Sequence, residues 1–261
     1  MNHLKLLFFL PVLLAACSGH RNESELGMAP SAFTGQFQAI PGEKLTYRAR
    51  MGPFQLGELK IRVAENPDTI RGRPAWCIRA DGSSTKGISW ISVVEHHWES
   101  WVDTSSGYSL LTRREARENK YRVKDEVNYL PDSSLIISRN LLNNEIRRLP
   151  SRPGSMQDLL NLMWKLRFTD FERFKIGDTL NYSGFHDKEW LSFRLILAGK
   201  TMLGKGKKGR ETWELYPIGL ATSFLRGKNP ARIWIETAPS RRPIEAKLET
   251  YFGNFRVNLV E

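Results

Sequence analysis

Apolar and polar residues alternate with a period of two along most of the chain after Gly42. The stretch Leu45-x-Tyr47-x-Ala49-x-Met51 is typical, because successive side chains of a β-strand point to opposite faces of a sheet. Clusters of Gly, Pro, Asn and Asp separate the alternating stretches, as turns require. The pattern predicts strands at 45–51, 59–63, 75–80, 110–117, 121–130, 135–138, 179–182, 190–197, 201–203, 211–216, 221–225, 233–236, 244–252 and 255–260.

Two segments depart from this period. The segment 88–102 fits helical spacing at first and strand spacing later, so it predicts a helical turn that runs into a strand. A central segment predicts the main helix, at about 155–168, with Ser155 as its cap and Asp158 in the position of a capping box. Its apolar face consists of Leu159, Leu160, Met163, Trp164 and Leu166. About a dozen strands around one central α-helix predict a mainly β fold, either a large curved antiparallel sheet or a β-barrel-like domain.

The first residues have a different pattern. One lysine near the start is followed by an apolar run at 6–14, two small residues and Cys17. This is the three-part pattern of a secretory signal, and the run is shorter than the roughly 20 residues of a membrane-spanning helix. The ending Leu14-Ala15-Ala16-Cys17 resembles the lipobox of bacterial lipoproteins, in which the cysteine receives lipid and the chain is cut before it. An ordinary signal peptide with a chance cysteine is the alternative.

These patterns divide the chain into three parts. Residues 1–16 are expected to be a lipoprotein signal peptide, residues 17–41 a lipidated N-terminus and flexible tether, and residues 42–261 a β-rich domain. The lipobox places the protein in the bacterial cell envelope, attached to a membrane through its lipid. Ser18 fits the rule by which enterobacteria send such proteins to the outer membrane, where the domain is expected to face the periplasm.

The chain is strongly basic. Its formal net charge is +11, and removal of residues 1–16 takes away one lysine and no acid, which leaves about +10. A basic surface favours anionic partners. Because a secreted protein seldom meets nucleic acid, lipid head groups and acidic glycans are the partners to expect, with no role for nucleic acid.

Short motifs along the β-rich stretch occur in a recognisable order. They are Gly42-Glu43-Lys44-Leu45-Thr46-Tyr47, Gly57, Asp158-Leu159-Leu160, Leu166-Arg167, Gly177-Asp178, Ile233-Trp234-Ile235, Arg242-Pro243-Ile244 and a terminal strand at 253–260. In this order they resemble the bacterial family known as domain of unknown function 3108, over nearly the whole chain from Gly42. The turn at 236–239 departs from the family's Asp-containing form, so no role is assigned to it. The resemblance implies an envelope β-rich domain and no catalytic residues.

A cationic, glycine-rich segment lies between two predicted strands. Gly204, Gly206 and Gly209 match the G-x-G-x-x-G spacing of dinucleotide-binding loops, but such a loop must open a helix, and here a strand follows. The segment therefore predicts a hairpin tip whose cations contact an anion at a surface, with a merely solubilising loop as the alternative. The cations are Lys205, Lys207, Lys208 and Arg210.

The other candidate groups form no recognisable catalytic or metal-binding motif. His96 and His97 are adjacent, so in a strand they point to opposite faces and do not easily chelate one ion. No G-x-S-x-G nucleophile motif occurs. Cys77 has no intramolecular partner if Cys17 is lipidated, and its alternating surroundings predict a small buried apolar residue. The scattered carboxylates near predicted strand ends and turns are Glu43, Asp81, Asp103 and Asp178. We predict no metal and no cofactor.

The aromatic content leaves two interpretations open. Eight Trp and 13 Phe residues can fill a β core, or they can line an apolar cavity for an acyl chain. The sequence therefore favours a non-enzymatic, lipid-anchored envelope protein that binds an anionic amphiphile or supports envelope assembly. A structural or protein-interaction lipoprotein is one alternative. A glycan-active enzyme is another, and it would pair two carboxylates in a cleft. The oligomeric state is not predicted.

Overall fold

The computed structural model describes residues 38–85, 93–152, 156–204, 209–218, 226–227, 230–251 and 253–260. These residues contain fifteen strands and one α-helix. The strands before the helix are β1 (Lys44–Met51), β2 (Phe54–Val63), β3 (Asp68–Ile70), β4 (Arg73–Ser84), β5 (Val94–Asp103), β6 (Ser109–Glu118), β7 (Tyr121–Leu130), β8 (Leu135–Asn140) and β9 (Ile146–Pro150). Helix α1 (Leu159–Arg167) is followed by β10 (Thr179–His186), β11 (Glu189–Leu203), β12 (Arg210–Ile218), β13 (Ala231–Glu236), β14 (Pro243–Thr250) and β15 (Gly253–Leu259).

The strands form a single antiparallel sheet made of two meanders. One meander runs from β1 to β9 and the other from β10 to β15, while β3 is a side branch on β4. The two meanders meet where β1 pairs with β15, with Tyr47 opposite Leu259 and Met51 opposite Phe255. The first and last strands of the described chain therefore lie side by side in the middle of the sheet.

The sheet curls until its two ends approach each other. Strand β10 is at one end of the strand order and β7 lies near the other. The Tyr129 hydroxyl of β7 nevertheless donates to the carbonyl of Phe185 in β10 at 3.4 Å. Arg114 Nη2 of β6 lies 2.9 Å from Asp187 Oδ1 in the β10–β11 turn. The predicted mainly β fold, with a large antiparallel sheet and one helix, is confirmed.

Helix α1 lies inside the curl. Its apolar residues belong to a core cluster with side chains from β1, β2, β4, β5 and β10 to β13. Because the sheet surrounds the helix, nearly all of its side chains are buried, including those of Lys165 and Arg167. In the ranges that the structure describes, no helix has both the length and the apolar character needed to cross a bilayer.

The start of α1 packs closely against β10 at Gly184. A Cβ atom at this position would lie 2.5 Å from the carbonyl oxygen of Gln157 and 2.6 Å from Leu162 Cδ1. The Phe185 amide donates to the same Gln157 oxygen at 2.8 Å. The position therefore requires glycine, because any side chain would push the helix away from the sheet.

The helix begins later than predicted. Asp158 is the N-cap itself, and its side chain accepts from the backbone amides of Leu160 and Asn161. The predicted capping box is therefore wrong, since a residue cannot occupy both the cap and the third helical position. Ser155 lies outside the residues that the structure describes.

One strand prediction also needs correction, and two strands were missed. The separate strand at 201–203 is the end of β11, which continues through a register shift between Leu197 and Gly199. Glycine has the required backbone freedom there, with φ of 121°. Strands β3 and β9 have no alternating pattern and were not predicted. The predicted strand at 221–225, and the helical turn after 88 up to residue 92, lie outside the described residues.

Cys77 is buried, as predicted. Its side chain points to the face of β4 opposite α1, into a small cluster with Trp101 and Leu111, and Ile70 of β3 packs against this cluster. Burial raises the pKa of the Cys77 thiol to about 12, so the thiolate is scarcely formed at neutral pH.

Candidate functional site

An apolar cavity of about 60 Å³ lies between α1 and the inner face of the sheet. Its walls come from α1, β1, β2, β13, β14 and β15, and Arg167 and Glu245 are its charged lining residues. A smaller cavity of about 20 Å³ shares Ile233, Ala246 and Val257 with it and continues along the inner face. An apolar cavity of about 150 Å³ accepts benzene, so the main cavity has room for only part of such a group.

Arg167 closes one end of this cavity with a buried ion pair. Its Nη1 and Nη2 atoms donate to the two Glu43 carboxylate oxygens at 2.8 and 2.9 Å. Nη2 and Nε also donate to the backbone carbonyls of Ser240 and Arg241 at 2.7 and 3.2 Å. The guanidinium stacks over the Trp164 ring, 4.2 Å from its centroid. These bonds connect α1 to the residue before β1 and to the β13–β14 turn, so the Arg167 guanidinium has a structural role.

A second carboxylate lies beside the first pair. Glu236, at the end of β13, accepts from the Ser240 hydroxyl and from Arg242 Nε, the latter at 2.7 Å. Burial raises the pKa of Glu236, but the hydrogen bonds from Arg242 and Ser240 outweigh it, so the net pKa is lowered. Burial is also the main reason why the pKa of Tyr47, which lines the cavity, is raised. At neutral pH this end of the cavity therefore carries paired charges and a neutral phenol.

A polar cluster surrounds the other end of α1. The Asp158 carboxylate accepts from the hydroxyls of Ser100 and Ser109 at 2.5 and 2.6 Å. Burial raises the pKa of Asp158 despite these bonds. A pocket of about 10 Å³ extends from Asp158 toward Arg114 and His186, which is the space of one water molecule.

The polar side chains that line this pocket bond to one another. Arg114 bonds to Asp125 at 2.5 Å and to His186 Nε2 at 3.3 Å. Burial, and next the Arg114 charge, lower the pKa of His186 to about 3, so the imidazole is neutral. His186 stacks on Trp98 and faces Arg114 rather than a serine hydroxyl, so it does not form a serine–histidine pair. The pocket is also too small for a sugar ring.

The family profile described as "Protein of unknown function (DUF3108)" matches residues 46–260. The chain belongs to this family. Among solved structures, it is similar to a β-barrel-like protein of domain of unknown function DUF1849 from Brucella abortus, with a TM-score of 0.54 and 9% identity. The similarity covers 85% of this chain and 97% of that one. A comparison with curated proteins finds no match.

Motifs that are far apart in the DUF3108 sequence meet around the cavity. Glu43 of the first motif bonds to Arg167 of the helix motif across 124 positions, and Tyr47 lines the cavity beside them. Arg242 of the last motif bonds to Glu236 in the turn that departs from the family pattern. The sequence identified these residues separately, but it contained no signal that they form one cluster.

The residues proposed for anion contact are only partly described. Cys17 and three of the four loop cations, Lys205, Lys207 and Lys208, lie outside the described residues of the DUF3108 chain. Arg210 starts β12, and its Nη1 lies 3.9 Å from Glu236 Oε2. Both the lipidation at Cys17 and the anion contact at this loop remain predictions.

The remaining candidate groups have structural partners. His96 and His97 bond to different acids, Glu118 and Asp81, at 2.9 and 2.7 Å. Asp103 accepts from the Ser105 hydroxyl and two turn amides, Asp178 from the Lys175 amide, and Glu43 from Arg167. Among the described residues, no group of three His, Cys, Asp or Glu side chains is arranged to hold a metal ion.

Proposed function

We propose that this DUF3108 protein is a lipid-anchored envelope protein whose β domain binds the apolar part of an anionic amphiphile between α1 and the sheet. The observation that carries the proposal is the cavity beneath α1. Its lining is apolar except for the Tyr47 phenol and two charged residues, and both charged residues already have partners within the protein. Such a cavity favours hydrocarbon over a polar ligand.

The size of the cavity sets a condition on binding. At about 60 Å³, it accepts the end of an acyl chain only, and a longer segment must lie along the inner face of β14 and β15. Val257 and Phe255 are partly exposed on that face, and they extend the apolar wall. The net charge of +11 favours a negatively charged head group at the opening.

The location in the proposal comes from the N-terminal pattern. Lipid on Cys17 would attach the domain to a membrane, and Ser18 supports the outer membrane with the domain facing the periplasm. The carbonyl of Gln38 accepts from Trp164 Nε1 at 3.1 Å, so the chain enters the domain next to α1. The roughly 21 residues between Cys17 and Gln38 span at most about 75 Å when extended.

A cavity-filling substitution tests ligand binding. Ala246→Phe places a ring at the wall shared by the two cavities, so lipid that co-purifies with wild-type protein is expected to be absent from this variant. Thr46→Phe is the matched control, because Thr46 lies on the outer face of β1. The measurement is native mass spectrometry of protein produced from Ser18 onward. Wild-type protein without bound lipid, and without affinity for anionic fatty acids, would refute ligand binding.

The anchor is tested separately. Wild-type protein is expected to take up labelled palmitate and to partition into membranes, while Cys17→Ala does neither. Crosslinking in cells distinguishes an assembly role, since it would return a defined protein partner instead of lipid. Equal palmitate labelling of both proteins would show that Cys17 is not the lipidated residue.

A further inference from the structure

Two hairpin tips lie next to each other at the end of the sheet away from the tether. The β1–β2 turn follows Met51, and the β14–β15 turn precedes Gly253. Because Met51 pairs with Phe255 across β1 and β15, the two tips are neighbours, about 10 Å apart at the usual strand spacing. Lys44 and the entering chain are at the opposite end of β1.

Each of these tips exposes an aromatic side chain. Phe54 is 64% exposed and Tyr251 is 68% exposed, and both are among the most exposed large apolar residues of the described chain. Between Met51 and Phe54 the turn consists of Gly52 and Pro53, which are also exposed. Neither aromatic ring contributes to the core clusters. Folding therefore does not explain why aromatic residues occupy both tips.

A row of cations crosses the outer face just above the tips. Arg50 is opposite Arg256, Arg256 is opposite Lys247, and Lys247 is opposite Arg232. Like charges directly opposite each other on neighbouring strands destabilise a sheet. Elsewhere on the outer face the runs of opposed cations are shorter, namely Lys44, Arg62 and Arg79, and the pair Arg117 and Arg122. Charges of opposite sign alternate along the row Arg79, Glu99, Arg113, Glu126 and Arg139.

Acidic residues compensate the row only in part. Arg256 bonds to Glu245 at 2.9 Å, Lys247 to Glu249 at 2.6 Å and Arg232 to Glu214 at 3.5 Å. Arg50 is exposed, and no ion pair is found for it among the described residues. Arg226 adds a further exposed cation beside Glu249. Among the described residues, these five cations thus have three acids paired with them, next to two exposed rings.

We infer that the tips carrying Phe54 and Tyr251 dock on the surface of an anionic bilayer, with Arg50 and Arg256 contacting lipid phosphates. Aromatic rings prefer the level of the head groups, and each cation near an anionic surface adds about fivefold to binding. This contact needs neither the cavity nor the lipid on Cys17, so it goes beyond the proposed function. It would fix the orientation of the domain relative to the membrane.

A bilayer fits these tips better than a folded protein partner does. The exposed rings are single side chains on separate turns with cations beside them, whereas the buried centre of a protein interface is depleted in charged residues. Side chains on separate tips can enter the head-group layer independently, and the flanking cations match the negative charge there. A second copy of the chain would instead bring two cationic rows together, which repel each other.

A fluorescent probe beside the tips tests this contact in the full chain. Asn254→Cys provides an exposed site on β15, and Cys77 is buried, so the probe labels one position when Cys17 is lipidated. The protein is bound to vesicles of phosphatidylcholine with phosphatidylglycerol that contain nitroxide-labelled head groups. Met202→Cys is the matched control, because Met202 is 61% exposed and lies near the opposite ends of the strands. We expect strong quenching at position 254 and weak quenching at position 202.

Further variants identify which residues produce the quenching. Arg50→Gln with Arg256→Gln is expected to lower the docked-to-free ratio by about fivefold for each arginine, and added salt should lower it in wild type. Phe54→Ser with Tyr251→Ser should abolish the difference between the two probes, without a change in circular dichroism, because both rings are exposed.

Probe positions that are quenched equally, or quenching that is the same on pure phosphatidylcholine, overturn the proposal. Crosslinks between copies at position 254 would overturn it in favour of a dimer. Labelling at Cys17 would instead show that the anchor is absent, which is a failure of the proposed function and not of this inference.

Discussion

Arg167 illustrates how a single residue of this family connects distant parts of the chain. It lies at the end of α1 and is 1% exposed, yet it bonds to Glu43 before β1 and to two carbonyls of the β13–β14 turn. A buried guanidinium must be fully paired, because an unpaired charge in the interior costs several kcal/mol. These contacts explain why an arginine occupies this position of the family motif.

Removal of Arg167 is expected to be strongly destabilising. Arg167→Met leaves the Glu43 carboxylate buried without a partner and should lower the free energy of unfolding by about 3–5 kcal/mol. The double variant Arg167→Met/Glu43→Gln should recover part of this loss. Urea denaturation measures the free energy of unfolding of the single and the double variant. The control Arg79→Met breaks a surface pair with Glu99 and should cost less than about 1 kcal/mol. Equal losses at the two sites would contradict the proposed role.

Lys165 is expected to make stability depend on alkaline pH. Burial lowers its pKa from 10.5 to about 8, and Asp158 offsets only part of this effect. Below pH 8 the folded protein bears the cost of a buried charge, whereas above about pH 10.5 the amine is neutral in both states. The contribution of this residue to stability therefore rises between these pH values. Lys165→Met should be about 1–3 kcal/mol more stable than wild type at pH 7, and the difference should shrink by pH 10. Urea titrations at several pH values measure it, and a constant difference would argue against the lowered pKa.

At the scale of elements, α1 depends on its first residue. Asp158→Ala removes acceptors from two helix amides and from the hydroxyls of Ser100 and Ser109, which should cost about 2–4 kcal/mol. Asp158→Asn retains an acceptor and should cost less. Asp170→Ala is the control, since Asp170 makes no side-chain cap bond to the short turn that follows it. Thermal unfolding compares the three variants, and equal melting temperatures for the two Asp158 variants would refute the capping role.

The elements also show what sequence can and cannot predict here. Alternation predicted most strands correctly, because a curled sheet buries one side chain in two along β1 or β12. It missed β9, whose Arg147 and Arg148 are both exposed, and it divided β11 at the bulge near Gly199. From the sequence, an apolar cavity was only one of two interpretations of the aromatic content. Its closing pair joins positions 124 residues apart, and no local pattern contains that pairing.

At the scale of the whole molecule, the pairing of β1 with β15 holds the two meanders together. Val257 of β15 lies opposite Ala49 on one side and Ala246 on the other. Val257→Pro removes a backbone donor from a central strand, where proline is hardly tolerated, and we expect the cooperative unfolding transition to be lost. Val257→Ala removes only side-chain contacts and should keep a single transition at lower denaturant. Unfolding followed by tryptophan fluorescence and by circular dichroism distinguishes them. A single transition in the proline variant would mean that the two meanders do not rely on this pairing.

This pairing has a consequence for folding during the export proposed above. When a chain crosses a membrane from its N-terminus, β1 arrives first and β15 arrives roughly 200 residues later. One edge of β1 therefore has no strand to pair with until β15 arrives. Throughout that interval the unsatisfied amides and carbonyls of β1 are available to any other extended chain. If the chain is exported as proposed, we expect it to depend on chaperones until β15 arrives. We expect fragments lacking residues 253–260 to aggregate instead of forming half a domain.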